Sequence, residues 1–123
     1  MEKKKNKGKN KGKFEIELNE NYKEILKLDK RMNEENIPHT MERLFDGYHI
    51  SVPNQDINEI YLSIIETKMS YGSKFDLMEA MGYGIKDPAG VEGYINTDRA
   101  MELVKIAEKE FKNRNECAEK ETE

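Results

Sequence analysis

Between residues 19 and 36, Tyr22, Ile25, Leu26, Asp29 and Met32 recur at spacings of three and four, and Leu28 widens the row. That spacing predicts an amphipathic helix capped at Asn19 and closing near Asn36, where Ile37-Pro38 turns the backbone extended. The pattern then shortens to a period of two. The run TMERLFDGYHISV reads as two strands around an Asp46-Gly47 turn, a pair suited to central turn positions with positive φ. With that turn Phe45 faces Tyr48, Arg43 faces Ile50 and Met41 faces Val52. One face then carries Met41, Arg43, Phe45, Tyr48, Ile50 and Val52, the expected core side. The other carries Thr40, Glu42, Leu44, His49 and Ser51, and on it His49 stands opposite Leu44.

Pro53 ends the second strand. After a polar loop, IYLSIIET alternates as a third strand, and short connections favour a meander. Ser70 to Ser73 is a turn. Ser73 and Asp76 resemble a capping box for a short helix from Lys74 to Met81, stopped by Gly82. The stretch YGIKDPAGVEG is the least regular and leaves room for one short strand at Val91 to Ile95. Thr97 is the expected cap of the last helix, whose Ala100, Leu103, Val104, Ala107 and Phe111 share one side. The expected architecture is α+β: a three-stranded antiparallel meander with helices packed on one face.

Charge divides the chain unevenly. Residues 1–13 hold Lys3, Lys4, Lys5, Lys7, Lys9, Lys11 and Lys13 against one glutamate, a local charge of +6. The other 110 residues carry −10, and the whole chain −4. The first 13 residues lack apolar side chains after Met1 and are expected to be a disordered basic tail. Residues 14–112 are expected to form the single domain, and 113–123 a polar, acidic C-terminal segment, either a frayed helix end or a second short tail. No apolar run reaches the roughly 20 residues of a membrane span, and the basic start has no apolar segment behind it. A cytoplasmic protein is expected.

The composition offers little conventional chemistry. The single cysteine, Cys117, lies in a polar segment where nothing lowers its pKa, and no GxSxG elbow is present. His39 and His49 are the two histidines, and the strand pattern sets them on different faces, which argues against a metal site. No glycine-rich phosphate motif appears. The expectation is therefore no enzyme, no catalytic residue, no metal and no cofactor. Arg43, on an otherwise apolar face, either snorkels, pairs with an acid or meets an anionic ligand. Tyr71, Tyr83 and Tyr94 lie in or beside glycine-rich loops, which suits a contact rim. With Tyr48 and His49 they complete the candidate binding residues. The order helix, three strands, helix is also that of the double-stranded-RNA-binding domain. Yet the helix starts SKFD and NTDR pair each cation with an acid, so only the lysine tail favours nucleic acid.

The runs LFDGYHISVP, SYGSKFDLMEAMG and GYINTDRAMELV resemble a group of small uncharacterised proteins encoded by bacteriophages and prophages of low-GC Gram-positive bacteria. The last run departs from their cadence at Asn96. The 17 lysines against four arginines, with 11 asparagines, fit an AT-rich genome. The resemblance implies an accessory protein that binds and inhibits a host protein, such as a defence or nucleic-acid-handling enzyme. The alternatives are a nucleic-acid-associated module using the lysine tail and a binder of a small anionic ligand or nucleotide. A homodimer through Leu44 and Ile65 on the outer sheet face also stays open.

Overall fold

The computed structural model describes residues 18–122, with side chains over 18–115. The lysine tail at 1–13 and the side chain of Cys117 lie outside what is described. The order is α1 (Glu24–Glu34), β1 (Thr40–Leu44), β2 (Gly47–Val52), β3 (Leu62–Glu66), β4 (Met78–Gly82), β5 (Val91–Ile95) and α2 (Thr97–Thr122). The fold is α+β, but the antiparallel sheet has five strands rather than three, in the order β1-β2-β3-β4-β5. The short strand anticipated at 91–95 is β5. Helix α2 carries the backbone through most of 113–123, so that segment is largely helical.

The second added strand replaces the helix expected over 74–81. Only Ser73–Phe75 turns, as one short 3-10 element, and Met78 to Gly82 run extended. The residues FDLMEAM have ordinary helical propensity, but Met78 and Ala80 alternate with Glu79 and Met81. Pairing Ile64 with Ala80 and Ile65 with Glu79 buries Met78 and Ala80 completely or nearly so. Burial in the sheet outweighs a weak local preference. Gly82 ends a strand, not a helix: a Cβ there would lie 2.3 Å from the Tyr61 carbonyl oxygen.

The first hairpin is shifted from its expected register. Leu44 pairs with Gly47, Arg43 with Tyr48, Glu42 with His49 and Met41 with Ile50. The turn residues are Phe45 and Asp46, and of these only Phe45 has positive φ, at 54°. Gly47 is required for another reason, since a Cβ on it would sit 1.8 Å from the Glu66 carbonyl oxygen. Asp46 is buried as an acceptor, taking the Tyr22 hydroxyl at 3.0 Å and the Lys68 amide at 2.9 Å. The shift amounts to two residues, so each side chain keeps its face. His49, however, now stands opposite Glu42 instead of Leu44.

One core joins the layers. Ile25, Leu28 and Met32 of α1 and Leu103, Val104 and Ala107 of α2 meet Ile50, Val52, Leu62, Ile64, Met78 and Ile95 of the sheet. Leu26, expected in the stripe of α1, is 42% exposed. On the expected core face of the hairpin, Ile50 and Val52 are fully buried, whereas Arg43 and Phe45 are exposed. Arg43 is thus no intruder in the core, because β1 is the edge strand.

Both helix starts are capped differently from expectation. Asn19 closes only a local turn, its Oδ1 accepting the Asn21 amide at 2.8 Å. The first amides of α1 are met by side chains remote in sequence. Asp76 Oδ1 accepts from Lys23 and Glu24 at 2.7 and 3.0 Å, and Glu66 Oε1 accepts from Ile25 at 3.3 Å. These carboxyl groups satisfy donors that a helix leaves unpaired. At α2 the cap is Asn96, whose Oδ1 accepts the Arg99 amide at 2.9 Å. Thr97 instead donates its hydroxyl to Glu24 Oε1 at 2.7 Å, tying α2 to α1. His39 joins α1 to the start of β1, with Nε2 2.7 Å from Asp29 Oδ1 and Nδ1 2.8 Å from the Ile37 carbonyl.

Candidate functional site

The loop from Thr67 to Leu77 is built from its own polar groups. Ser70 Oγ accepts the Thr67 amide at 3.0 Å and donates to the Thr67 carbonyl at 2.8 Å. The amides of Phe75 and Leu77 both donate to the Gly72 carbonyl, at 2.9 and 3.0 Å. Glu79 Oε1 holds the Tyr71 amide at 2.7 Å. The loop then locks onto β5, where the Tyr94 amide donates to the Tyr71 carbonyl at 3.3 Å.

That contact is close enough to demand glycine on both sides. A Cβ on Gly72 would lie 2.9 Å from Tyr94 Cα, and one on Gly93 would lie 2.6 Å from Tyr71 Cβ. With the backbones pressed together, the rings point outward. Met69, Tyr71, Phe75 and Tyr94 are 73, 65, 70 and 60% exposed. The rings of Phe75 and Tyr94 lie 6.4 Å apart between centroids. Together with Tyr71, Lys68 and Lys74 they line a concavity of about 190 Å³.

The backbone here is strained. Tyr94 holds φ at 58° and Asp76 at 57°, a region side-chain-bearing residues visit at a cost. Asp76 is held by its capping bonds to α1, and Tyr94 by a bulged pairing of β4 with β5. Strain of this kind concentrates where a fold presents a functional surface.

The structure brings together only part of the expected set. Tyr71 and Tyr94 share the rim. Tyr83 lies elsewhere, stacked on Tyr61 at 5.1 Å, with Tyr61 in turn edge-on to Phe111. Arg114 lies over both tyrosine rings at 5.5 Å and donates to the Tyr83 hydroxyl, so this cluster fastens α2 to the sheet. Arg43 and Tyr48 are cross-strand neighbours at the sheet edge, on the face opposite His49. The single ligand site expected from Arg43, His49 and the tyrosines is therefore not assembled. Phe75 and Lys74 fall in the stretch whose pattern predicts a helix, and no sequence motif marks Lys68 or Met69.

On the sheet face away from the helices, His49 makes a second constellation. Its Nδ1 lies 3.0 Å from Glu42 Oε2, and its Nε2 lies 2.7 Å from Ser63 Oγ. Ser51 Oγ is 3.3 Å from the same Nε2, and Gln55 Nε2 donates to Glu42 Oε1 at 3.2 Å. Glu42 became visible only once the hairpin register placed it opposite His49. Ser63 lay concealed in the alternation of β3.

A larger cleft of about 380 Å³ separates α1 from the start of α2. Its cations face acids within it: Lys27–Glu24 at 2.6 Å, Lys30–Glu34 at 3.6 Å and Arg31–Asp98 at 2.7 Å. Among the described residues no group of three or more His, Cys, Asp or Glu is placed to hold a metal ion, and no helix is long and apolar enough to cross a membrane. Compared with protein-family models, curated proteins and solved structures, the chain matches none.

Proposed function

We propose that this chain acts by stoichiometric contact with a protein partner, through the rim of Tyr71, Phe75 and Tyr94. The observation that carries this reading is the convergence of Tyr71, Phe75 and Tyr94, each at least 60% exposed, where one loop is locked backbone to backbone onto β5. Isolated exposed hydrophobics are ordinary on a monomer, but a rigid cluster of them marks a contact surface. Tyrosine and phenylalanine supply large contact area at small entropic cost. The concavity of about 190 Å³ suits one inserted side chain rather than a whole ligand. Lys68 and Lys74 flank it on a body that is otherwise acidic, so they favour an anionic segment around that anchor.

Under the phage or prophage reading the partner is a host protein, met in the host cytoplasm, and contact inhibits it. The test is affinity capture from host lysate with wild type and Phe75→Ala. The wild type retains a stoichiometric partner, and the variant, with an unchanged melting temperature, loses it by about 30-fold, the effect of a contact residue worth about 2 kcal/mol. Equal capture by both would refute the assignment of the rim.

A nucleic-acid role through the tail keeps one supporting observation, seven lysines within 13 residues. It predicts a salt-sensitive gel shift that disappears when residues 1–13 are deleted.

A further inference from the structure

The Glu42–His49–Ser63 relay has the parts of a nucleophilic site: a hydroxyl, a base and a group that orients the base. A carboxylate can only accept, so Glu42 favours the His49 tautomer with its proton on Nδ1, which leaves Nε2 as the acceptor for the Ser63 hydroxyl. Gln55 holds the far oxygen of Glu42. Glu42 and His49 face each other across β1 and β2, and Ser63 lies one diagonal step away on β3. All three are placed by rigid strands rather than loops. Ile65 and Met81, the cross-strand partners of His49 and Ser63, add an apolar shelf, and Met81 is 53% exposed.

We propose that Ser63 is an activated nucleophile for acyl transfer from esters with a short acyl chain. This goes beyond the binding reading and does not depend on it. Ser63 Oγ forms a bond to the ester carbonyl carbon while His49 Nε2 takes the hydroxyl proton, and the carbonyl electrons move onto oxygen. Collapse of that adduct restores the carbonyl and expels the alcohol, which takes the proton from Nε2. Water, again deprotonated by His49, then releases the carboxylic acid and regenerates Ser63. Ser51, opposite Ser63 on β2, is buried with its Oγ 3.3 Å from Nε2, where it steadies the imidazole. The oxyanion gains no donor from Ser51, so acylation and hydrolysis of the acyl-enzyme are both expected to be slow.

The test is labelling of the full-length protein with a fluorophosphonate, located by peptide mass spectrometry. The expected result is one adduct, on Ser63, formed by the folded protein and not in denaturant. His49→Gln slows labelling by about 100-fold, the scale of general-base catalysis. Glu42 is a positioning residue. Glu42→Gln, at a half-exposed site, leaves the melting temperature in place and slows labelling by about tenfold, and Glu42→Asp restores part of the rate. No adduct, an adduct elsewhere, or labelling of a folded Glu42→Gln or His49→Gln variant at the wild-type rate would overturn the proposal.

Discussion

Replacing Glu66 with glutamine tests how the start of α1 is held. Glu66 is fully buried. One carboxyl oxygen accepts the Ile25 amide at 3.3 Å, and the other is buried with no donor facing it. Burial, and then the neighbouring Asp76 carboxylate, push its pKa up to about 9. A protonated Glu66 resolves both difficulties, since it carries no charge into the core and supplies the proton that its second oxygen lacks. The consequence for stability has a definite sign. In the unfolded chain the group ionises near its ordinary value of 4.5, whereas in the fold it stays protonated to about pH 9. Between those limits the folded state binds the extra proton, so stability falls as pH rises, by about 1.4 kcal/mol per pH unit from this group.

Glutamine has the same shape, accepts from Ile25, can donate to Asp76 and never ionises. Other titrating groups contribute equally to both proteins and cancel in the difference. Urea denaturation at pH 5.5, 6.5 and 7.5 should therefore show Glu66→Gln gaining on wild type by about 3 kcal/mol across that range. A difference independent of pH, or a variant that loses ground as pH rises, would refute the buried neutral acid.

Other expectations follow from single contacts. Gly47→Ala drives a methyl into the Glu66 carbonyl and should cost about 3 kcal/mol or abolish folding, read by thermal melting. Asn96→Ala removes the α2 cap and should cost about 1 kcal/mol in the same assay, whereas Asn96→Asp should be tolerated. Tyr94→Gly relieves positive φ and should leave stability unchanged or raise it by about 1 kcal/mol, yet weaken partner capture. A large loss of stability would mean that Tyr94 serves the fold instead of the surface.

The parts of the fold that follow from local periodicity were legible in the sequence. The first hairpin and its faces, β3, and the apolar side of α2 all follow from spacing. What was hidden depends on partners distant in the chain. Met78 to Gly82 become a strand because β3 offers an edge to pair with, and no window of that segment reveals the edge. The cap of α1 comes from Asp76 and Glu66, more than 40 residues away. Asp46-Gly47 marks the hairpin, but the turn is centred one residue earlier, on Phe45 and Asp46. Gly47 makes room for the Glu66 carbonyl, so the register slipped and concealed the pairing of Glu42 with His49. Of the candidate residues, Tyr71 and Tyr94 share a surface because a bulge and two glycines bring their backbones together, and only the folded chain shows that.

If partners bind this protein through the Tyr71–Phe75–Tyr94 rim, they must come within crosslinking distance of Phe75. This is tested most directly by placing a photo-crosslinking amino acid at Phe75 and, separately, at Ile57, which is 81% exposed on a different loop. Irradiated in host lysate, the Phe75 position should give one discrete protein adduct and the Ile57 position none. An adduct of equal yield from both, or from Ile57 alone, would contradict the account.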